Sequence, residues 1–207
     1  MSAYSPAADG YFKSHAIDPA VAARLGVAER DASLGFTVRR PGGCGSFQRT
    51  RPLGGVAAKV LQPRGQRLEL WWPAGPPEFA PVVLLAEGEG DVLAALSALV
   101  QEPIAALPEH AVGALPGTGF PVERVVEEMR RIECAFCYTC FDADEAGRKL
   151  TRRLSAALDL SRIRSASLPI RADRDLADEL ARVPASLRGQ RFAGMLLAAE
   201  SSGRAAA

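Results

Sequence analysis

Two hundred and seven residues suffice for one domain with a small appendage. An apolar share of 48% beside a charged share of 24% supports a buried core and excludes wholesale disorder. A net charge of +1 excludes a protein that coats nucleic acid over its whole surface. In chain order, Asp18-Pro19 opens a short helix that Gly26 closes. Residues 34 to 72 read as short strands with glycine and proline turns: Gly35 to Arg40, Val56 to Leu61 and Arg67 to Trp72. Pro73 to Pro81 is a linker by composition. Strands and helices then alternate. Val82 to Ala86, Ala111 to Leu115, Cys134 to Phe141 and Ala166 to Ile170 are apolar strands. Asp91 to Val100, Val122 to Ile132, Asp144 to Leu158, Asp175 to Ala181 and Leu187 to Ala199 are helical. The pattern predicts an α/β fold with a parallel sheet of about four strands and helices on both faces, preceded by a small α+β part. The boundaries fall at 1–75, 80–182 and 183–207, and Ser201 to Ala207 read as frayed.

No run of apolar residues is long enough to span a bilayer, and the N-terminus lacks a charged-then-apolar signal pattern. The expectation is a cytoplasmic protein without a membrane partner. There the four cysteines do not read as disulfides. Charge is unevenly spread: Ala32 to Leu68 holds seven basic residues (Arg39, Arg40, Arg49, Arg51, Lys59, Arg64, Arg67) and no acidic one. That asymmetry suits a grip for phosphate beside a site for metal, or a solvated basic face.

Chemistry in such sheets sits where strands end and helices begin. Glu87 follows the first strand of the alternating part, with Asp91 opening the next helix. ALPGTG, residues 114–119, is a glycine-rich turn after the second. Asp142 and Asp144 lie at the tip of the third, where residues two apart face one way. Asp173, Asp175 and Asp178 follow the fourth. Carboxylates gathered at one sheet edge repel one another unless a cation lies between them, and magnesium takes oxygen ligands. Taken singly, Asp144 reads as the N-cap of the following helix. Taken together, each after an apolar strand, the acids read as a metal site.

These residues resemble the TOPRIM domain, shared by bacterial and phage primases, topoisomerases, OLD-family nucleases and the RecR mediator. The family pattern is a Glu after the first strand and an Asp-x-Asp after the third, met here by Glu87 and by Asp142-Ala143-Asp144. Primases are most similar: Glu87-Gly88-Glu89-Gly90-Asp91 fits their Glu-Gly-x-x-Asp, and Glu145-Ala146-Gly147-Arg148 their x-Ala-Gly-Arg. Arg174 to Asp178 approximates a Lys-Asp-x-Asn-Asp stretch, with Arg for Lys and Ala for Asn. Tyr11 to Ile17 and Lys59 to Gly65 are similar to segments that precede TOPRIM in primase-like proteins of phages and mobile elements.

The resemblance implies metal-dependent nucleotidyl transfer, making primers on single-stranded DNA from nucleoside triphosphates, with a separate replicative helicase as partner. It implies Mg2+ or Mn2+ on Asp142, Asp144, Asp91 and Glu87, with Glu87 as base or ligand and Asp175 and Asp178 as acidic auxiliaries. Lys59, Arg64, Arg51, Arg49 and Arg148 are the expected phosphate contacts. Complete bacterial primases also carry a zinc module and a helicase-binding domain; neither pattern is legible in these 207 residues. Cys134, Cys137 and Cys140 fall on alternating faces of a buried strand, far from Cys44, so they read as packing rather than zinc ligands. Trp71 and Trp72 read as core cover, and His15 and His110 as structural. Two alternatives stay open: a metal-dependent nuclease of the OLD kind, and a non-catalytic nucleic-acid-binding module.

Overall fold

The structure, a computed structural model, describes residues 4–43, 45–54 and 60–205. The chain begins with helices α1 (Pro6–Ser14) and α2 (Pro19–Arg24). Each starts on a side-chain cap, Ser5 and Asp18, followed by a proline whose missing N–H costs the first turn nothing. Strands β1 (Ala28–Arg30), β2 (Ser33–Arg39) and β3 (Ser46–Pro52) form an antiparallel meander. The expected strand at Val56 to Leu61 lies largely outside the described residues; Leu61 itself bridges to Thr50.

The strand expected at Arg67 to Trp72 does not form. Only Trp71 pairs, exchanging two backbone bonds of 2.9 Å with Ala114. The neighbouring bonded positions of that register would be Pro73 opposite Val112 and Glu69 opposite Pro116, and proline has no N–H to give. The single bridge still ties the N-terminal part to the second sheet.

That sheet contains β4 (Val82–Ala86), β5 (Val112–Ala114), β6 (Phe136–Cys140) and β7 (Arg164–Ser167), all parallel, in the order β5-β4-β6-β7. β7 starts earlier than expected and stops at Ser167, since Pro169 cannot donate to the ladder. Helix α3 (Glu89–Gln101) is buried almost all round, as its unbroken Val-Leu-Ala run requires, between the sheet and helices α6 (Leu176–Ala181) and α7 (Arg188–Ala205). Helices α4 (Val122–Arg131) and α5 (Glu145–Leu160) pack on each other. Each shows a narrow apolar stripe: Val122, Val125, Val126 and Met129 on the first, Leu150, Leu154 and Leu158 on the second. The tail expected to fray instead extends α7 to Ala205; the Ser201 and Ser202 hydroxyls donate back to the carbonyls of Leu197 and Ala198. Trp71 and Trp72 are buried, and the Trp72 indole lies so close to Gly113 that a Cβ there would meet it at 2.7 Å. No helix among the described residues is long and apolar enough to cross a membrane.

Candidate metal centre

Strand order decides what meets. From β4 the chain steps to β5 on one side, then crosses back to β6 on the other, so the sheet switches direction beside β4. A crevice opens beyond the carboxyl ends of strands at such a point. The junctions after β4, β6 and β7 are adjacent there, while the glycine-rich turn after β5 lies on the far side of β4.

Three carboxylates converge in the crevice. One oxygen each from Asp91, Asp142 and Asp175 lies within 4.8 Å of the others. Asp91 comes from the first turn of α3, Asp142 from just past β6, and Asp175 from the cap of α6. Asp91 is buried, and its Oδ1 accepts from the Ala177 N–H at 3.1 Å. Asp175 Oδ1 accepts from the Asp178 N–H at 2.6 Å, which fixes its rotamer and leaves its second oxygen for the crevice. Glu87 adjoins the triad, its Oε2 accepting a long bond of 3.4 Å from the Asp142 N–H.

Electrostatics shows the crowding. Burial first, then the charge of Asp175, pushes Asp91 well above the usual carboxylate range. Burial and the charges of Asp175 and Asp144 lift Asp142 to about 6. Burial and Asp142 lift Glu87 to about 7. Asp175 is also raised, by burial first, with Asp178 adding and His15 and Arg51 opposing. Two unit charges 4.8 Å apart repel by on the order of 3 kcal/mol at an effective dielectric of about 20. A hard dication with oxygen ligands relieves that repulsion, so the donor set fits Mg2+ or Mn2+.

The expected site residues are redistributed. Asp144 is exposed and outside the triad: its Oδ1 accepts from the Gly147 N–H at 2.7 Å, the N-cap of α5. β6 ends at Cys140, so strand alternation no longer governs positions 142 and 144. Asp175, expected as an auxiliary, takes the third place, whereas the exposed Asp178 contributes its backbone to the cap. Arg49 is buried rather than open to phosphate. It pairs with Glu89 at 3.1 Å, donates to Gln62 Oε1 at 3.1 Å and to the Glu69 carbonyl, and so braces the N-terminal sheet against the start of α3. Arg148 is exposed and donates to the Ala143 carbonyl, while the Ala143 N–H donates to the Arg174 carbonyl at 3.0 Å; together they staple the acid loop. Gly147 is needed beneath that loop, because a Cβ there would stand 2.0 Å from the Asp142 carbonyl oxygen. Arg64 is exposed, and Lys59 lies outside the described residues.

Arg51, an expected phosphate contact, lies at the crevice, and beside it stands Tyr11, which was not singled out as a site residue. Arg51 from β3 places its guanidinium 5.1 Å from the Tyr11 ring centroid, and Tyr11 stacks on His15 at 4.0 Å. Burial pushes the Tyr11 phenol up to about 12, Arg51 opposing and Asp91, Glu89 and Asp175 adding. The only signal was the similarity of Tyr11 to Ile17 to a pre-TOPRIM segment. Cys134, Cys137 and Cys140 are buried free thiols, and burial raises each of them. Cys44 lies outside the described residues.

Comparison with known proteins accords with this geometry. A Toprim-like family model matches residues 84–180. No curated protein matches the chain by sequence. Among solved structures, the zinc-binding and RNA polymerase domains of Aquifex aeolicus primase superpose with a TM-score of 0.66 at 17% identity, over 92% of this chain and 56% of theirs. The primase fragment of the bacteriophage T7 primase-helicase gives 0.62 at 18%, over 87% of this chain and 70% of that one. The RNA polymerase domain of Mycobacterium tuberculosis primase, solved with double-stranded DNA, gives 0.61 at 15%, over 91% and 73%. The chain thus spans little more than half the length of the Aquifex structure. Residues 84–180 are similar to the Toprim-like family, and the chain has, over most of its length, the fold of DNA primases.

Proposed function

We propose that this chain is a primase-type nucleotidyltransferase that makes primers on single-stranded DNA, with Asp91, Asp142 and Asp175 as the ligands of a Mg2+ or Mn2+ ion. The observation that carries the reading is the convergence of these three carboxylates within 4.8 Å at the sheet's switch point. Residues that repel one another this strongly are retained where a cation offsets the cost. When bound, the cation supplies positive charge to the transferring phosphoryl group and acidifies an attacking hydroxyl.

The chain's own residues do the rest. Glu87, at about 7, is divided between its two protonation states near neutrality, which suits it to take the proton of the attacking 3′-hydroxyl. Arg51, close enough to Asp175 to act on its charge, holds nucleotide phosphate, with the exposed Arg64 as a further contact and Lys59, outside the described residues, as another from the basic N-terminal part. Arg148 and Asp144 act through the loop they hold rather than through the substrate. The T7 primase is joined to a helicase, and a separate replicative helicase is the corresponding partner here.

The test is primer synthesis on single-stranded DNA with labelled nucleotides and magnesium or manganese, comparing the chain with Asp142→Ala and Glu87→Ala. Short oligomers from the unaltered chain, lost in both variants, are expected. Degradation of the DNA in a Glu87-dependent way would instead establish a nuclease. Neither product, together with DNA binding indifferent to chelator, would leave a binding module.

A further inference from the structure

Tyr11 stands beside the acid triad and carries a group that the fold does not use. Its ring is held by contacts that phenylalanine would also make: the His15 stack at 4.0 Å, an edge contact to Phe12 at 6.0 Å, and Arg51 at 5.1 Å. Its hydroxyl is buried and, among the described residues, has no hydrogen-bond partner. Buried polar groups without partners are rare because each is a net cost to folding.

The hydroxyl faces the first turn of α3. A Cβ on Gly90 would lie 2.9 Å from it, and Gly90 sits between Glu89 and Asp91. The second glycine of the Glu-Gly-x-x-Asp stretch therefore makes room for this phenol. The charges of Asp91, Glu89 and Asp175 all act on it, with Arg51 opposing. A donor held rigidly among anions, yet bonded to none of them, is placed to meet an oxygen that enters with a cation.

Resting on the reading of the triad as a metal site, we propose that Tyr11 is a binding residue of that site: its hydroxyl donates a hydrogen bond to an oxygen carried in on the divalent cation. That oxygen is either a metal-bound water or a phosphate oxygen of the nucleotide. Magnesium-like ions keep several waters when bound by few carboxylates, so both sources are chemically available.

The experiment uses the full chain and its Tyr11→Phe variant. Affinities for Mn2+ alone and for Mn2+ with ATP are measured by titration calorimetry, and thermal unfolding is followed without cation. The lost hydroxyl has no partner, so the cation-free melting temperature of Y11F should be unchanged or raised. Affinity should fall about tenfold, the effect of one hydrogen bond of this kind. A loss already present with Mn2+ alone identifies metal-bound water, and a loss confined to Mn2+ with ATP identifies phosphate. Gly90→Ala, which crowds the hydroxyl while keeping it, should weaken the same arm. Equal affinities in both arms overturn the proposal, as does a lowered melting temperature, which would assign the hydroxyl to the fold. A folded wild-type chain that takes up no Mn2+ brings down the metal reading itself, whereas equal uptake by both chains brings down only the role of Tyr11.

Discussion

Asp91→Asn separates a metal ligand from a structural carboxylate, because the two roles predict opposite signs for stability. Asp91 is buried, and its oxygen lies within 4.8 Å of oxygens on Asp142 and Asp175. Two effects favour its charge: the Ala177 N–H bond, and the α3 N-terminus, worth about 0.3–1 kcal/mol. Opposing them are desolvation and two repulsions on the order of 3 kcal/mol each when the partners are ionised. The opposing effects win, burial first and then the charge of Asp175, since the net shift of Asp91 is upward. Partial protonation of Asp142, raised to about 6, and solvent at the half-buried partners reduce the total. Asparagine keeps an acceptor for Ala177 and removes the charge.

The expected gain for the cation-free protein near neutrality is about 1–3 kcal/mol, or roughly 3–9 °C in Tm for a chain of this size. The pH dependence carries a sign as well. A carboxylate whose folded pKa is raised stabilises the fold below its unfolded pKa, and that contribution is lost as pH rises through the folded value. The wild-type chain should therefore lose stability as pH climbs from about 4 past the values near 6 and 7 of Asp142 and Glu87, and D91N should flatten that decline. Saturating Mn2+ should raise the wild-type Tm and leave D91N nearly unmoved, since a ligand at about a hundred times its Kd adds roughly 2.7 kcal/mol. Differential scanning calorimetry with and without Mn2+, across pH, reads all of this. A less stable cation-free D91N that still responds to Mn2+ would refute the reasoning and make Asp91 a structural acceptor.

Other residues give independent tests. If Glu87 takes the proton, the primer-synthesis rate should rise with pH through an inflection near 7, and Glu87→Gln should abolish that inflection along with most of the rate. Gly147→Ala puts a methyl 2.0 Å from the Asp142 carbonyl oxygen, so a loss of about 3 kcal/mol or more and weaker Mn2+ uptake are expected, read by denaturant unfolding and titration. Arg49→Met strands a buried Glu89 and should cost about 3–5 kcal/mol, with most of it recovered in the Arg49→Met, Glu89→Leu double variant. Failure of the double variant to recover would mean that the bonds of Arg49 to Gln62 and Glu69 matter more than its ion pair.

The alternation of apolar runs with periodic helices in the second part of the chain was enough to determine a parallel sheet, and the position of acids just after those runs determined which edge gathers carboxylates. Both are local signals: a buried parallel strand must be apolar throughout, and a helix must show its stripe at a spacing near 3.6 residues. Arg67 to Trp72 misled because strand-forming side chains say nothing about whether the facing positions are prolines. Which acids meet was also beyond local reading. Asp144 and Asp175 are both N-caps in the structure, yet only Asp175 joins the triad. Only the order β5-β4-β6-β7 brings the end of β7 beside that of β6, and past the end of β6 at Cys140 the Asp144 side chain caps α5 rather than joining the triad. Arg49, Arg51 and Tyr11 lie far along the chain from the acids they face. Their sorting into strut, cation and donor depended on how the N-terminal sheet packs against α3, a long-range contact that no periodicity encodes.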